Sequence, residues 1–414
     1  MAEFRILSLD GGGSWALIQV RALTRIFERV LGKSGAEITG HEVLRHFDLA
    51  AANSGGTLTL AGLLHNWTLA QLLALFNKEE YRRKIFAKTD ALHRHIFRAI
   101  AGIGPIYSTA KKRAGLTEIM GAHGGDQIAD LPKRVGANYA GRLPHFLFCA
   151  HNYDTQRAAF MRSDGASLAA SSKRQETLTL IDAVHASANP PVNLFDLPAE
   201  CGGDDGERYW DGAIAGHNNP VMAAVIETLA NAARYNTSRA DINALSLGTG
   251  TTTLPLNRRP LTDDQKALHV EVERPLLFAD VKKLALSIMN DPPDTATFNA
   301  HMMLDGPLPA HDAAAMGGSP ILRMNPLIQP APDGNGGWRL PDGYTTQAFR
   351  ALRDLDMDGV SREDVEIITT FCNRWMADAV TNQPVRANTR TFKAEIGHRK
   401  FSDALNEAVA RFKR

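Results

Sequence analysis

The chain has 414 residues, 44% of them hydrophobic and 22% charged; this is an ordinary globular composition with enough apolar mass for a sizeable core, so disorder is excluded as the default. Forty-six basic against forty-five acidic side chains leave a net charge of +1, which excludes a global field that would hold the protein on nucleic acid or on an anionic membrane. The cysteines, Cys149, Cys201 and Cys372, are odd in number and widely spaced, which argues against a disulfide framework or a zinc site and fits a reducing compartment.

Glu3 and Arg5 break the N-terminal run that a signal peptide would need, so a cytoplasmic protein is expected. Phe4 to Leu9 reads as a strand, Asp10 to Gly13 as a glycine turn, and Leu17, Val20, Leu23, Ile26 and Phe27 fall at helical spacing after it. Phe47 to Ala52 predicts a second buried strand, Asn53 to Gly56 a turn, and Thr57 to Leu64 a helix. Leu49 to Asn77 contains no Asp, Glu, Lys or Arg, but polar residues at Asn53–Gly56 and His65–Thr68 split it into two short helices, so it reads as core rather than a membrane span. Thr68 with Gln71 makes a capping box for the second of these helices.

Residues 82–113 carry nine Lys or Arg against the single acid Asp90, among apolar residues that include Leu92, Ile96, Phe97 and Ile100. This basic insert reads either as a solvated face or as a lid that gives peripheral contact with an anionic lipid surface through Arg82, Arg83, Lys84, Lys111, Lys112 and Arg113. Strands are expected at 145–150, 157–162 and 244–247, with a helix at 221–233 after Pro220. The alternation of strands and helices predicts a mostly parallel sheet with helices on both faces. Residues 254–344 are broken by proline and glycine, and no second core is legible there. Beyond Thr345 the chain reads as helical, with Ser361 and Ser402 as caps of the last two helices.

Three short segments carry the chemistry. Gly11, Gly12 and Gly13 between a strand and a helix expose backbone N–H groups, suited either to phosphate binding or to an oxyanion hole. The dinucleotide pattern G-x-G-x-x-G fails at Ala16, which leaves a nucleotide-binding α/β protein as a distant reading. Ala52-Asn53-Ser54-Gly55-Gly56 has the small residues that a tight nucleophile elbow needs, with Ser54 at the tip. Asp211-Gly212-Ala213 supplies a carboxylate as base. Each alone is an ordinary turn; together, in this order, they specify a serine hydrolase.

These elements resemble the patatin-like phospholipase family. The likeness extends to Ala186-Ser187-Ala188-Asn189-Pro190 (Ala-Ser-x-Ala-Pro in the family), to His217-Asn218-Asn219-Pro220 and to Leu245-Ser246-Leu247-Gly248-Thr249-Gly250. It covers about residues 4–250 and continues weakly to Trp375, which gives a hydrolase domain over 1–375 and a C-terminal helical tail over 376–414. The resemblance implies a three-layer α/β/α sandwich with a mostly parallel central sheet and a helical extension. It implies an esterase of acyl lipids, membrane phospholipid or another, that works through a Ser54–Asp211 dyad, an acyl-enzyme and a glycine-loop oxyanion hole, without cofactor or metal.

A triad with His217, one of fourteen histidines, is the alternative mechanism. A catalytically silent lipid-binding or regulatory protein on the same fold is the alternative function. Two departures stand out: Ala52 replaces the first glycine of the elbow, and Ser14-Trp15-Ala16 replaces the basic residue and glycine that usually follow the triple glycine, with Trp15 as a candidate wall for the acyl chain. The Asp354-x-Asp356-x-Asp358-Gly359 run opens like an EF-hand, but its twelfth position is Val365, so it is read as a capping loop for Ser361.

Overall fold

The computed structural model describes residues 3–90, 104–164, 177–202, 206–257, 262–271, 292–308, 318–388 and 393–413. Leu92, Ile96, Phe97 and Ile100 of the basic insert lie outside them.

The central sheet is built from β1 (Phe4–Leu9), β2 (Leu49–Ala52), β3 (His145–Asn152), β4 (Arg157–Arg162), β5 (Ala199–Cys201), β6 (Glu207–Asp211), β7 (Ile242–Leu247) and β8 (Ile321–Met324). In space the order β8-β7-β1-β2-β3 is parallel throughout. β4, β6 and β5 then add antiparallel. β1 and β2 are nearly continuous apolar runs because both sheet faces are covered. Phe4, Ile6, Leu49 and Ala51 point into one core, and Leu7, Leu9, Ala50 and Ala52 into the other.

Helices α1 (Leu17–Leu31), α2 (Gly55–Leu64), α3 (Leu69–Asn77), α4 (Thr109–Met120), α5 (Leu180–Ser187), α6 (Val221–Ala230), α7 (Pro292–Met303), α8 (Arg362–Met376) and α9 (Phe401–Phe412) form the outer layers. α6 and α7 cover the first face and the others pack on the second. The result is an α/β/α sandwich. Every residue of α2 is buried, as a helix apolar all round requires, and no helix among the described residues is long and apolar enough to cross a membrane.

Local chemistry sets the helix starts. Thr68–Gln71, Thr179–Asp182 and Ser361–Asp364 close reciprocal capping boxes, interactions worth about 1 kcal/mol each. Ser402 does not cap the last helix. α9 begins one residue earlier, at Phe401, whose ring is buried against Trp375, and the Ser402 N–H donates to the Asp378 carboxylate. The segment after residue 376 also contains an antiparallel hairpin, Val385–Asn388 with Lys393–Ile396, besides its helix.

The basic insert requires a correction. Arg82 is buried, with its guanidinium donating to the carbonyls of Phe76, Val360 and Ser361, and Lys112 is fully buried. Neither side chain can meet a lipid surface. Lys84, Lys111 and Arg113 pair with Glu118, Asp90 and Asp182 at 2.6–2.8 Å, and Arg83 pairs with Glu79.

Candidate active site

β3 organises the centre. Its first half pairs with β2, where Ala52 lies opposite Phe148, and its second half pairs with β6, where Asp211 lies opposite Ala150. β4 runs along the other edge of β3 from Leu147 to Asn152, so β2 and β6 must share one edge and approach each other end to end. β2 terminates in the Ser54 turn and β6 terminates in Asp211. Opposed strand polarity thus delivers the two residues to one point from sequence positions 157 apart.

Ser54 sits at φ 49°, ψ −124°, a strained conformation for a residue with a Cβ and the geometry of an elbow. Its amide donates to Ser187 Oγ at 3.0 Å, its carbonyl accepts from the Thr57 N–H and hydroxyl, and Asn53 O accepts from Gly56 N. A Cβ at Gly55 would lie 2.5 Å from both the N and the O of Gly13. Glycine there lets the elbow and the glycine loop touch. Ala52 is fully buried at the strand end.

Asp211 is fully buried. Its Oδ1 accepts from Asn53 Nδ2 and Ala213 N, both at 2.9 Å; Gly212 packs against Asn53 Oδ1 with no room for a Cβ. Its Oδ2 has no partner at hydrogen-bond geometry among the described residues. Burial raises the carboxyl pKa above its ordinary value, opposed first by the Ser54 hydroxyl, then by Ala213 N, Asn53 and Lys112. A carboxylate made more basic by burial beside a serine hydroxyl has the chemistry of a general base.

The glycine loop is anchored from three sides. Gly11 N donates to Asn218 O at 2.8 Å, Gly11 O accepts from Thr249 Oγ1 at 2.6 Å, and Ser14 N donates to Met357 O at 2.9 Å. The amides of Gly12 and Gly13 have no backbone acceptor among the described residues. They, rather than Gly11, are available to an oxyanion.

The loop 354–361 closes over this turn, with Asp358 O accepting from the Ser14 hydroxyl and Asp356 O from Trp15 Nε1. The indole of Trp15 is buried edge-on against Phe371. It therefore fastens this loop. His217, the triad candidate, packs its ring edge-on against Phe160 at 4.8 Å.

Beneath the loop, Asp10 Oδ2 pairs with Arg323 at 2.6 Å, and Arg323 also donates to Ser246 Oγ, all of them buried. Burial pushes the Asp10 pKa up to about 6, against the opposing charge of Arg323. Its folded pKa thus exceeds the unfolded value, so its contribution to stability is complete below about pH 4 and is lost as pH rises through about 6. Asp10→Asn, which cannot titrate, should gain on the wild type in melting temperature between about pH 4 and pH 7. A difference that stays constant across this range would show that Asp10 does not titrate there.

Sequence reasoning missed Ser187, Asn189, Thr249, Asn218 and Lys112. The first four lie inside quoted motifs without an assigned role; Lys112 lay in the basic insert.

A family model described as patatin-like phospholipase matches residues 7–225, more than half of the 414 residues, and the chain belongs to that family. It is 26% identical over 256 residues to a cGAMP-activated phospholipase of Vibrio cholerae, a match that covers 60% of this chain and 64% of that protein. The chain thus spans a little under two thirds of that relative's length. It is also similar to VipD from Legionella pneumophila, at a TM-score of 0.35 and 10% identity over 89% of this chain and 67% of that one.

Proposed function

We propose that this chain is a lipid acyl hydrolase that cleaves fatty acyl esters through Ser54 and Asp211. Ser54 Oγ attacks the acyl carbonyl while Asp211 takes its proton. The new oxyanion receives the N–H groups of Gly12 and Gly13. Collapse of this intermediate expels the alcohol, which takes the proton from Asp211 and leaves an acyl group on Ser54. Water, activated by the regenerated carboxylate, then releases the fatty acid. The observation that carries this reading is the end-to-end approach of β2 and β6, which brings a strained serine to a buried carboxylate.

Burial is what makes Asp211 competent. A carboxylate of ordinary pKa near 4 is a weak base for a hydroxyl, and a raised pKa narrows that gap. The start of α2 at Gly55 places a helix N-terminus beneath Ser54, which favours the developing negative charge. Family membership supports acyl lipids as the substrate class, and the name of the Vibrio cholerae relative makes activation by a cyclic dinucleotide a further proposal for this chain.

The test incubates wild type and Ser54→Ala with a mixed lipid extract, with and without cGAMP, and identifies released fatty acids by mass spectrometry. Release by the wild type alone is expected. Equal release by both proteins would remove Ser54 from the mechanism, and lipid binding without release under either condition would favour a silent lipid-binding protein.

A further inference from the structure

Lys112 lies on α4, away from every motif, yet its ammonium is built into the back of the candidate site. Nζ lies 2.9 Å from His185 O, 2.7 Å from Ala188 O and 2.7 Å from Asn189 Oδ1, and 4.4 Å from the centre of the Phe195 ring. The Asn189 amide nitrogen donates to Leu197 O and Tyr209 O, which fixes its oxygen as the acceptor that faces Lys112. Three oxygen acceptors require three N–H donors, and only the charged ammonium has three.

The counter-charge is Asp211: burial pushes the Lys112 pKa well below its ordinary value, and the Asp211 carboxylate is the first group that opposes this and favours the ammonium. Asn189 joins the two physically: its side chain accepts from Lys112 and its carbonyl accepts from the Asp211 N–H at 3.1 Å. Two residues earlier, Ser187 accepts from the Ser54 N–H. One short segment at the end of α5 therefore holds serine, carboxylate and ammonium in fixed relation.

We propose that Lys112 is a positioning residue for the Ser54–Asp211 pair: its buried ammonium supplies the positive charge that keeps Asp211 ionised in the resting site. This rests on the dyad reading given above. Without a cation a fully buried carboxylate tends to take up a proton, and a protonated Asp211 cannot accept one from Ser54. During attack, the proton moves from Ser54 Oγ to Asp211 as the Oγ–C bond forms, and negative charge moves to the oxyanion. Lys112 keeps its proton, so the site holds one positive and one negative charge before and after the step.

The hydrogen bonds from Ser54, Ala213 N and Asn53 oppose protonation of Asp211 ahead of Lys112, but none of these groups carries charge. Ser54 and Asn53 face Asp211 from the elbow, and Cys149 from β3, its thiol kept neutral by burial that raises its pKa. Around Lys112, burial pushes the Cys201 thiol up to about 12 and lowers the His185 pKa well below its ordinary value, leaving both uncharged near neutrality. Arg113 is paired with Asp182.

The first measurement uses the wild-type chain with ¹⁵N-lysine. The Lys112 Nζ signal should be that of an ammonium at about pH 8, and a neutral amine there would overturn the proposal whatever the variants do. The second follows kcat/KM for a short soluble acyl ester against pH. Lys112→Gln keeps N–H donors but removes the charge, and its acid limb should move to higher pH. Activity should return toward wild type at high pH.

Asn189→Ala leaves the charge but cuts the Asn189–Lys112 hydrogen bond, and should move the limb in the same direction by less. A merely structural lysine predicts lower melting temperatures with the acid limb unmoved, and that result in whichever variant folds would overturn the proposal. Ser54→Ala and Asp211→Asn, run alongside, separate the two readings. If either keeps wild-type turnover the dyad itself is wrong; if both are dead and the limb does not move, only the role of Lys112 falls.

Discussion

Ser54→Ala is expected to lower ester hydrolysis by about 10⁴-fold or more, and Asp211→Asn by a similar factor, while the double variant is hardly worse than either. Groups that act as one unit lose activity non-additively. Ser54 without a base has a poorly nucleophilic hydroxyl, and Asp211 without Ser54 has no proton to take. The fold should survive both changes. Ser54→Ala removes one oxygen and keeps the amide bonded to Ser187, and Asp211→Asn keeps an oxygen able to accept from Asn53 and Ala213. His217→Ala is the control, since its ring rests on Phe160, and it should keep most of the activity. Loss of turnover in His217→Ala together with retention in Asp211→Asn would exchange the dyad for a triad.

The central layers were legible because their signals are local. β1, the glycine turn and α1 follow from an apolar run, a break and a helical stripe; the capping boxes at Thr68 and Ser361 need only four residues each. β8 was not legible. Ile321–Met324 is a four-residue strand in a proline- and glycine-rich region, and it becomes a strand only because the edge of β7 is there to pair with. Its Arg323, which would mark an exposed position in most strands, is buried because Asp10 waits opposite it.

The same contrast holds at the site. The candidates Ser54, Asp211 and the glycines stand out in the sequence because tight turns demand small residues at fixed spacing. Their supports do not, because Thr249, Ser187 and Met357 bond to backbone groups far away in the sequence. Lys112 did leave a trace: on α4 it shares a helical face with the buried Thr109, Gly115, Leu116 and Met120. A lysine on the apolar stripe of a helix is a candidate for burial, but counting charge along residues 82–113 averaged that phase away.

Gly12→Ala should lower kcat by about 10²–10³-fold while KM changes little, the loss expected when an oxyanion donor is displaced. Gly12 lies at φ 151°, which alanine adopts only at a cost of about 1–3 kcal/mol, and its new Cβ would collide with the Thr249 side chain. That hydroxyl is the one that holds Gly11 O. Either Thr249 gives way and the loop loses an anchor, or the Gly12–Gly13 peptide turns away from Ser54. Both routes move N–H groups whose use comes only when negative charge develops on the acyl oxygen, so the ground state barely registers the change. Melting temperature separates this effect from unfolding. A Gly12→Ala protein that folds, keeps wild-type kcat and differs only in KM would mean that the loop binds substrate and that the oxyanion is stabilised by other groups.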